Sequence, residues 1–392
     1  MRVLLTSESS LPYLSGVTVS VDTQARALGA RGHEVLVLAP RPVDGSVPEP
    51  VGSPGPAPRY AWLPSYQLPV VAPPAYRMPI PMPWTDAMAD AARFAPEIVH
   101  AHSPFVTGLM ARRLARAAGA PLVFTHHTRF ADYGHYLGPL AGPGAALTDA
   151  YLRAFWGACA AIVAPSTDLA EEIRGRLRDD RPSCVHVIPT GVDVAGIRGL
   201  ARRDPRSVTG WPTDAIVVAS LGRLAPEKSP MDVLDAVAVA GLHLLVIGGG
   251  PSEAELRARA ERPDLAGRVA FTGALLRPEA LATVAGADLF AFASRTETQG
   301  LVLAEALACG LPAVAVDGPG VRDSVRDGVD GVVVPAQPAE GRAARLGTAL
   351  AALAGDAGRR AAMAARARDD ADRFSIDRRT DETEALYRSL VV

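Results

Sequence analysis

Cysteine is scarce in this chain: only Cys159, Cys184 and Cys309 occur among 392 residues. Their number is odd, they lie far apart, and no Cys-x-x-Cys or Cys/His cluster surrounds them. That pattern supports neither a disulfide framework nor a structural zinc site, and it makes a reducing cytoplasm the expected compartment. Long hydrophobic runs are missing as well. Nothing approaches the roughly 18 consecutive apolar residues that a membrane-spanning helix needs. The N-terminal apolar stretch, Val3–Leu5, is too short for the core of a signal peptide. Neither sign of charge dominates, since 40 basic residues face 42 acidic ones and the net charge is −2. Such a balance gives no general attraction to nucleic acid or to an anionic membrane, so membrane association is expected to be peripheral at most. No short-period repeat is visible.

What the chain does have is apolar content, 48% of its residues, enough to fill large cores. At roughly 100–200 residues per domain, its length suggests two domains. Short Val/Ile/Leu-rich runs alternate with longer Ala/Arg/Leu-rich stretches. The runs predict strands at Val3–Thr6, Glu34–Ala39, Ile98–Ala101, Leu122–Thr125, Ala161–Ala164 and Val185–Ile188. A second series falls at Ile216–Leu221, Leu244–Ile247, Val269–Thr272, Leu289–Ala293, Ala313–Val316 and Gly331–Val334. Nearly continuous apolar strands suit a parallel sheet covered on both faces, and the helical stretches between them imply a doubly wound α/β fold. Pro189–Asp193 closes the first series. A polar stretch to about Thr213 follows, so two α/β halves are expected, with ligand-binding strand ends facing a cleft. Pro40–Trp84 is rich in Pro and Gly and reads either as a linker or as a packed excursion. Its aromatics argue for the excursion, with one strand at Tyr60–Leu63.

Four constellations carry chemistry. Ser294–Pro312 follows a strand, places Gly300 at a helix start and continues as an Ala/Leu helix. A helix N-terminus there, around Gln299, Gly300 and Leu301, is a ready phosphate site. Glu305, one and a half turns in, has the acceptor oxygens that suit a ribose diol, and Glu297 in the loop suits sugar hydroxyls. In the second, Gly222 ends a strand and Arg223 and Lys228 follow in a short loop. Two cations there can neutralise a departing diphosphate in place of a metal. In the third, Gly16 opens a helix after the first strand and resembles a phosphate-approach glycine. Gly248–Gly250 read equally as such a site or as a tight turn. The fourth is Thr125–Phe130, where His126 and His127 end a strand. His100 and His102 end another, but no spacing assembles these histidines around a metal, and no metal is expected.

Together these strings resemble the retaining glycosyltransferases of the GT-B fold, a family 4-like group that includes lipid glucosyl- and mannosyltransferases. The likeness runs through Gly16–Thr18, Gly32–Val35, His102–Phe105, Thr125–Thr128, Val187–Asp193, Gly222–Lys228 and the Glu297/Glu305 pair. It implies an N-terminal acceptor domain over 1–200, a donor domain over 201–372, and a last segment, about 373–392, crossing back onto the first domain. By resemblance, Gly16, Arg223, Lys228 and the helix start at Gln299, Gly300 and Leu301 hold the donor diphosphate. Glu305 takes the ribose, Glu297 and His127 the transferred sugar, and the backbone around Leu276 the base. Ser103, Arg129, Tyr133 and Tyr136 are the expected acceptor residues. The resemblance also implies a GDP- or UDP-linked donor, no metal cofactor, retention of anomeric configuration, and a small-molecule or lipid acceptor. An epimerase, a sugar phosphorylase and a non-catalytic sugar-nucleotide-binding subunit are the alternatives that share this plan.

Overall fold

The computed structural model describes residues 1–13, 15–42, 54–67, 76–82, 84–129, 141–177 and 184–391, the side chains of 141–143 excepted. The chain forms two compact units, Met1–Gly191 with Ile376–Val392, and Val192–Ser375.

In the first unit the order is β1 (Arg2–Thr6), α1 (Gly16–Ala30), β2 (Glu34–Pro40), β3 (Arg59–Leu63), β4 (Ser65–Tyr66), β5 (Met78–Pro79), α2 (Asp86–Arg93), β6 (Ile98–Ala101), α3 (Val106–Ala118), β7 (Leu122–Thr125), α4 (Ala141–Trp156), β8 (Ala161–Ala164), α5 (Thr167–Arg176) and β9 (Val185–Val187). Seven strands pair in the order β3-β2-β1-β6-β7-β8-β9, all parallel. Alternate side chains serve two cores. Leu4 joins Val99, Phe124 and Trp156 on one face, while Val3 and Leu5 join Val21, Leu28 and Val123 on the other. Burial on both faces explains why these strands are apolar throughout. The excursion after β2 carries β3, where Tyr60 stacks on Trp62 at 4.3 Å, and one strand pair that periodicity does not announce, β4 with β5.

The second unit contributes α6 (Val194–Arg198), α7 (Arg206–Thr209), β10 (Val217–Leu221), α8 (Pro230–Ala240), β11 (His243–Ile247), α9 (Glu253–Ala260), β12 (Val269–Gly273), α10 (Arg277–Val284), β13 (Leu289–Phe292), α11 (Leu301–Ala308), β14 (Ala313–Val316), α12 (Val321–Ser324), β15 (Gly331–Val334), α13 (Arg342–Gly355) and α14 (Ala357–Asp369). Its six strands run parallel in the order β12-β11-β10-β13-β14-β15, again between two apolar clusters.

The last helix, α15 (Ile376–Leu390), returns to the first unit. It buries Leu386 and Tyr387 in the cluster formed by Val3, Leu5 and Leu28. Arg31 and His33 pair with Asp381 and Glu384, the latter at 2.8 Å from His33 Nε2. A Cβ on Gly191 would stand 2.6 Å from the Ile376 backbone, so only glycine allows the chain's exit from this unit to lie against its return.

Candidate active site

In both sheets the strand order reverses direction beside the first strand. β1 is flanked by β2 and β6, and β10 by β11 and β13. The loops leaving the carboxyl ends of the two strands at such a switch point diverge, and ligands of open α/β sheets bind in the crevice between them. The second unit places Gly222–Ser229 after β10 and Ala293–Gly300 after β13 at this point. The first unit places Ser7–Tyr13 after β1 and His102–Phe105 after β6.

In the second unit, three glycine contacts shape the first loop. A Cβ on Gly248 would meet Gly222 O at 2.0 Å, and one on Gly250 would meet Leu224 O at 2.4 Å. Leu224 N–H donates to Gly249 O at 3.0 Å and Gly248 N–H to Gly273 O at 3.0 Å. The triple glycine is thus a close-packed turn, and its backbone holds the Arg223–Lys228 loop. A 3₁₀ turn over Pro226–Lys228 ends at Ser229, a non-glycine residue at φ +50°, an uncommon conformation that calls for local support. From this turn Lys228 Nζ reaches Glu297 Oε1 at 2.7 Å. Arg223 is half exposed and pairs with Glu227, whose carbonyl accepts from Thr296 Oγ1 at 3.3 Å. Lys228 is the single lysine in the chain, every other Lys/Arg position being arginine. That compositional oddity is a signal the sequence carries for this site.

Gly300 caps α11 at φ +72°, in the left-handed region that favours glycine. The helix starts at Leu301, four residues after Glu297, and the first N–H groups of a helix lack intrahelical acceptors and carry partial positive charge. Gln299 is buried, and its backbone is pinned by Gly320, where a Cβ would sit 2.8 Å from Gln299 Cα. Glu305 is 1% exposed and ion-paired with Arg277, the first residue of α10. Burial raises its carboxyl above the ordinary range, and the Arg277 guanidinium opposes that rise. Arg277 is a partner of Glu305 that the sequence does not reveal. Leu276 just before it is 70% exposed and offers an apolar face beside the β12 loop.

In the first unit, Gly16 is the first residue of α1, and the space where its Cβ would go is open. Ser15 and Thr18 form a capping box there. The N-terminus of α3 is taken by a side chain. Glu8 accepts from the N–H groups of Val106 (3.2 Å) and Thr107 (3.1 Å) and from Thr107 Oγ1 (2.8 Å). Ser103, buried, accepts from Phe105 N–H at 3.3 Å and so serves the turn into α3. Arg129 is bound to Glu172 on α5 at 2.6 Å. Tyr133 and Tyr136 lie outside the described residues. His127 comes against His102, Nε2 to Nδ1 at 2.8 Å. Burial pushes His100 and His126 down to about 3 and His127 to about 4, and the neighbouring His127 adds to the first two, so all are neutral at pH 7. His102 is driven in the same direction by the same causes, burial first and then His100 and His127.

Among the described residues, no group of three or more His, Cys, Asp or Glu side chains is arranged to hold a metal ion, and no helix is long and apolar enough to cross a membrane.

Comparison with known proteins places this geometry. Residues 14–195 match the family described as Glycosyltransferase Family 4, and residues 201–370 match Glycosyl transferases group 1. A GDP-mannose-dependent alpha-mannosyltransferase of Mycolicibacterium smegmatis is 30% identical over 325 residues, covering 83% of this chain and 82% of that protein. An alpha-monoglucosyldiacylglycerol synthase of Streptococcus pneumoniae is 28% identical, covering 85% and 75%. Among solved structures, Anabaena HepE in complex with UDP superposes over the full length of both chains with a TM-score of 0.74 at 20% identity, a likeness of fold.

Two parallel-sheet units together with these matches make the protein a GT-B glycosyltransferase that uses a nucleotide-sugar donor. The chain belongs to glycosyltransferase family 4 and is a hexosyltransferase.

Proposed function

We propose that the protein transfers a hexose from a GDP- or UDP-sugar to a small-molecule or lipid acceptor, with retention and without a metal. The observation that carries this reading is the Lys228–Glu297 pair beside the Gly300 start of α11, with Glu305 buried in the same helix. The second unit is the donor side. The diphosphate takes Lys228, Arg223 and the α11 N–H groups, the ribose takes Glu305, and the base lies on Leu276. The first unit, with Gly16 and His127, supplies the remaining donor contacts and the acceptor side. Its helix α3 exposes Arg113, Arg116 and Leu109, which supports a peripheral contact with a lipid surface.

As the glycosidic C1–O bond breaks, negative charge grows on the departing phosphate. Lys228 and the helix N-terminus stabilise that charge more in the transition state than in the ground state. The acceptor oxygen attacks C1 from the face the phosphate leaves, and its proton passes to the departing phosphate oxygen. Glu297 holds the hydroxyls of the transferred sugar.

The test is nucleotide release from a panel of GDP- and UDP-sugars by protein treated with EDTA, followed by NMR of the product's anomeric proton. Turnover that disappears with EDTA and returns only with a divalent cation rejects the metal-independent reading. An inverted product rejects retention.

A further inference from the structure

His102 and His127 meet because their strands are neighbours. β6 and β7 run parallel with Ala101 opposite Phe124, and each chain turns out of the sheet just beyond. The rings lie 5.1 Å apart at 20°, and His102 Nδ1 stands 2.8 Å from His127 Nε2. His102 also stacks on His100, with ring centroids 4.5 Å apart. His100 cannot assist it, because its own nitrogens are taken by Tyr387 OH and Thr125 Oγ1, each at 2.6 Å. His102 is 3% exposed, and its Nε2 has no hydrogen-bond partner among the described residues. His127 is the partly exposed member of the group.

A neutral imidazole carries one N–H, and the bond made by one nitrogen sets the state of the other. Were His127 to donate through Nε2–H, His102 would carry its proton on the buried, unpartnered Nε2. A buried orphan N–H is rarer than an unpaired acceptor, because a donor stripped of water with no partner is the costlier group to leave unmade. With the proton on His102 Nδ1, that nitrogen donates to His127 Nε2 and only a lone pair is left unpaired. His127 must then hold its own proton at Nδ1.

We propose that His102 is a positioning residue that fixes His127 as its Nδ1–H tautomer, so that His127 offers the transferred sugar a hydrogen-bond donor and not a base. The statement about the sugar rests on the donor-site reading above, whereas the statement about the tautomer does not. His127 in this state binds a sugar oxygen and takes no proton from the acceptor, in keeping with a proton that leaves on the phosphate.

Long-range ¹H–¹⁵N spectra of uniformly labelled protein at pH 7.5 report the tautomer of each histidine, with His127→Gln assigning the signal. The expected result is His127 protonated at Nδ1. His102→Asn keeps a donor where Nδ1 stood and should preserve both that tautomer and kcat/KM within a few-fold. His102→Asp offers only an acceptor. It should move the His127 proton to Nε2 and lower kcat/KM by about 10- to 100-fold. A wild-type His127 protonated at Nε2 overturns the proposal, whatever the variants do, and so does an unchanged tautomer in folded His102→Asp protein. If the tautomer shifts as expected while His127→Gln and His102→Asp retain full donor affinity and kcat, the tautomer assignment stands and the contact of His127 with the sugar is rejected.

Discussion

Lys228 Nζ sits 2.7 Å from Glu297 Oε1, so the cation assigned to the leaving phosphate and the carboxylate assigned to the sugar neutralise each other before the donor arrives. Both side chains are about a quarter exposed, and the pair adds little to stability, within about 1 kcal/mol. Lys228→Met should therefore fold with a melting temperature close to wild type, while kcat falls by about 10²- to 10³-fold. Because no other lysine exists, reductive ¹³C-methylation labels this side chain and the N-terminal amine alone. The Lys228 methyl resonance should shift on adding UDP or GDP. A resonance that stays put with both nucleotides contradicts the phosphate role.

The Arg277–Glu305 pair behaves differently, because Glu305 is fully buried. Arg277→Met leaves that carboxylate unpaired, which should cost about 3 kcal/mol in urea unfolding at pH 8 and raise the donor KM. The loss should shrink at pH 5. With its carboxyl raised further, Glu305 binds a proton in the folded state that the unfolded chain lacks, so stability falls as pH rises. A loss independent of pH would locate the damage elsewhere.

Acid should destabilise the first unit steeply. His100, His126 and His127 are held neutral at about 3 to 4, against 6.5 for the free side chain. Between pH 6.5 and about 4 the unfolded chain holds more protons than the folded one, so stability rises with pH across that window. It is fully present above it. Each histidine contributes about 1.4 kcal/mol per pH unit there. Denaturant midpoints measured from pH 7 to pH 4.5 should fall continuously, and a flat profile refutes the buried neutral state.

Gly320 is at φ +73° with its hydrogen aimed at the Gln299 backbone. Gly320→Ala should push the Gln299–Gly300 loop away from its place at the head of α11, raise the donor KM and cost about 1–3 kcal/mol. Gly328, at φ +75° with nothing within 4 Å, is the control. Gly328→Ala carries only the backbone strain, and isothermal titration with nucleotide should find its affinity unchanged.

The parallel strands are legible because burial on both faces writes an apolar run, and Leu122–Thr125, Ala161–Ala164, Ala313–Val316 and Gly331–Val334 begin and end where the runs do. Two-residue β4 and β5 write no such pattern. The loops of Arg223–Lys228 and Glu297–Gly300 are legible as strand–loop–helix strings, and the adjacency of β10 and β13 brings Lys228 to Glu297. Arg277 was not legible as a partner of Glu305, since the 27 intervening residues hold a helix and a strand whose packing decides the meeting. His102 was hidden for a related reason. A single histidine at a strand end says nothing until the register of β6 against β7 supplies its neighbour.

The return of α15 to the first unit also fixes an order in time. Val192–Ser375 is one uninterrupted stretch, whereas the first unit is assembled from two pieces that the whole of the second unit separates. On the ribosome the earlier piece emerges with Val3, Leu5 and Leu28 lacking the helix that buries them, and that helix is made after the second unit. The second unit can be complete while the first still waits for Leu386 and Tyr387, so nascent chains stalled near Ser375 should expose one apolar sheet face to chaperones.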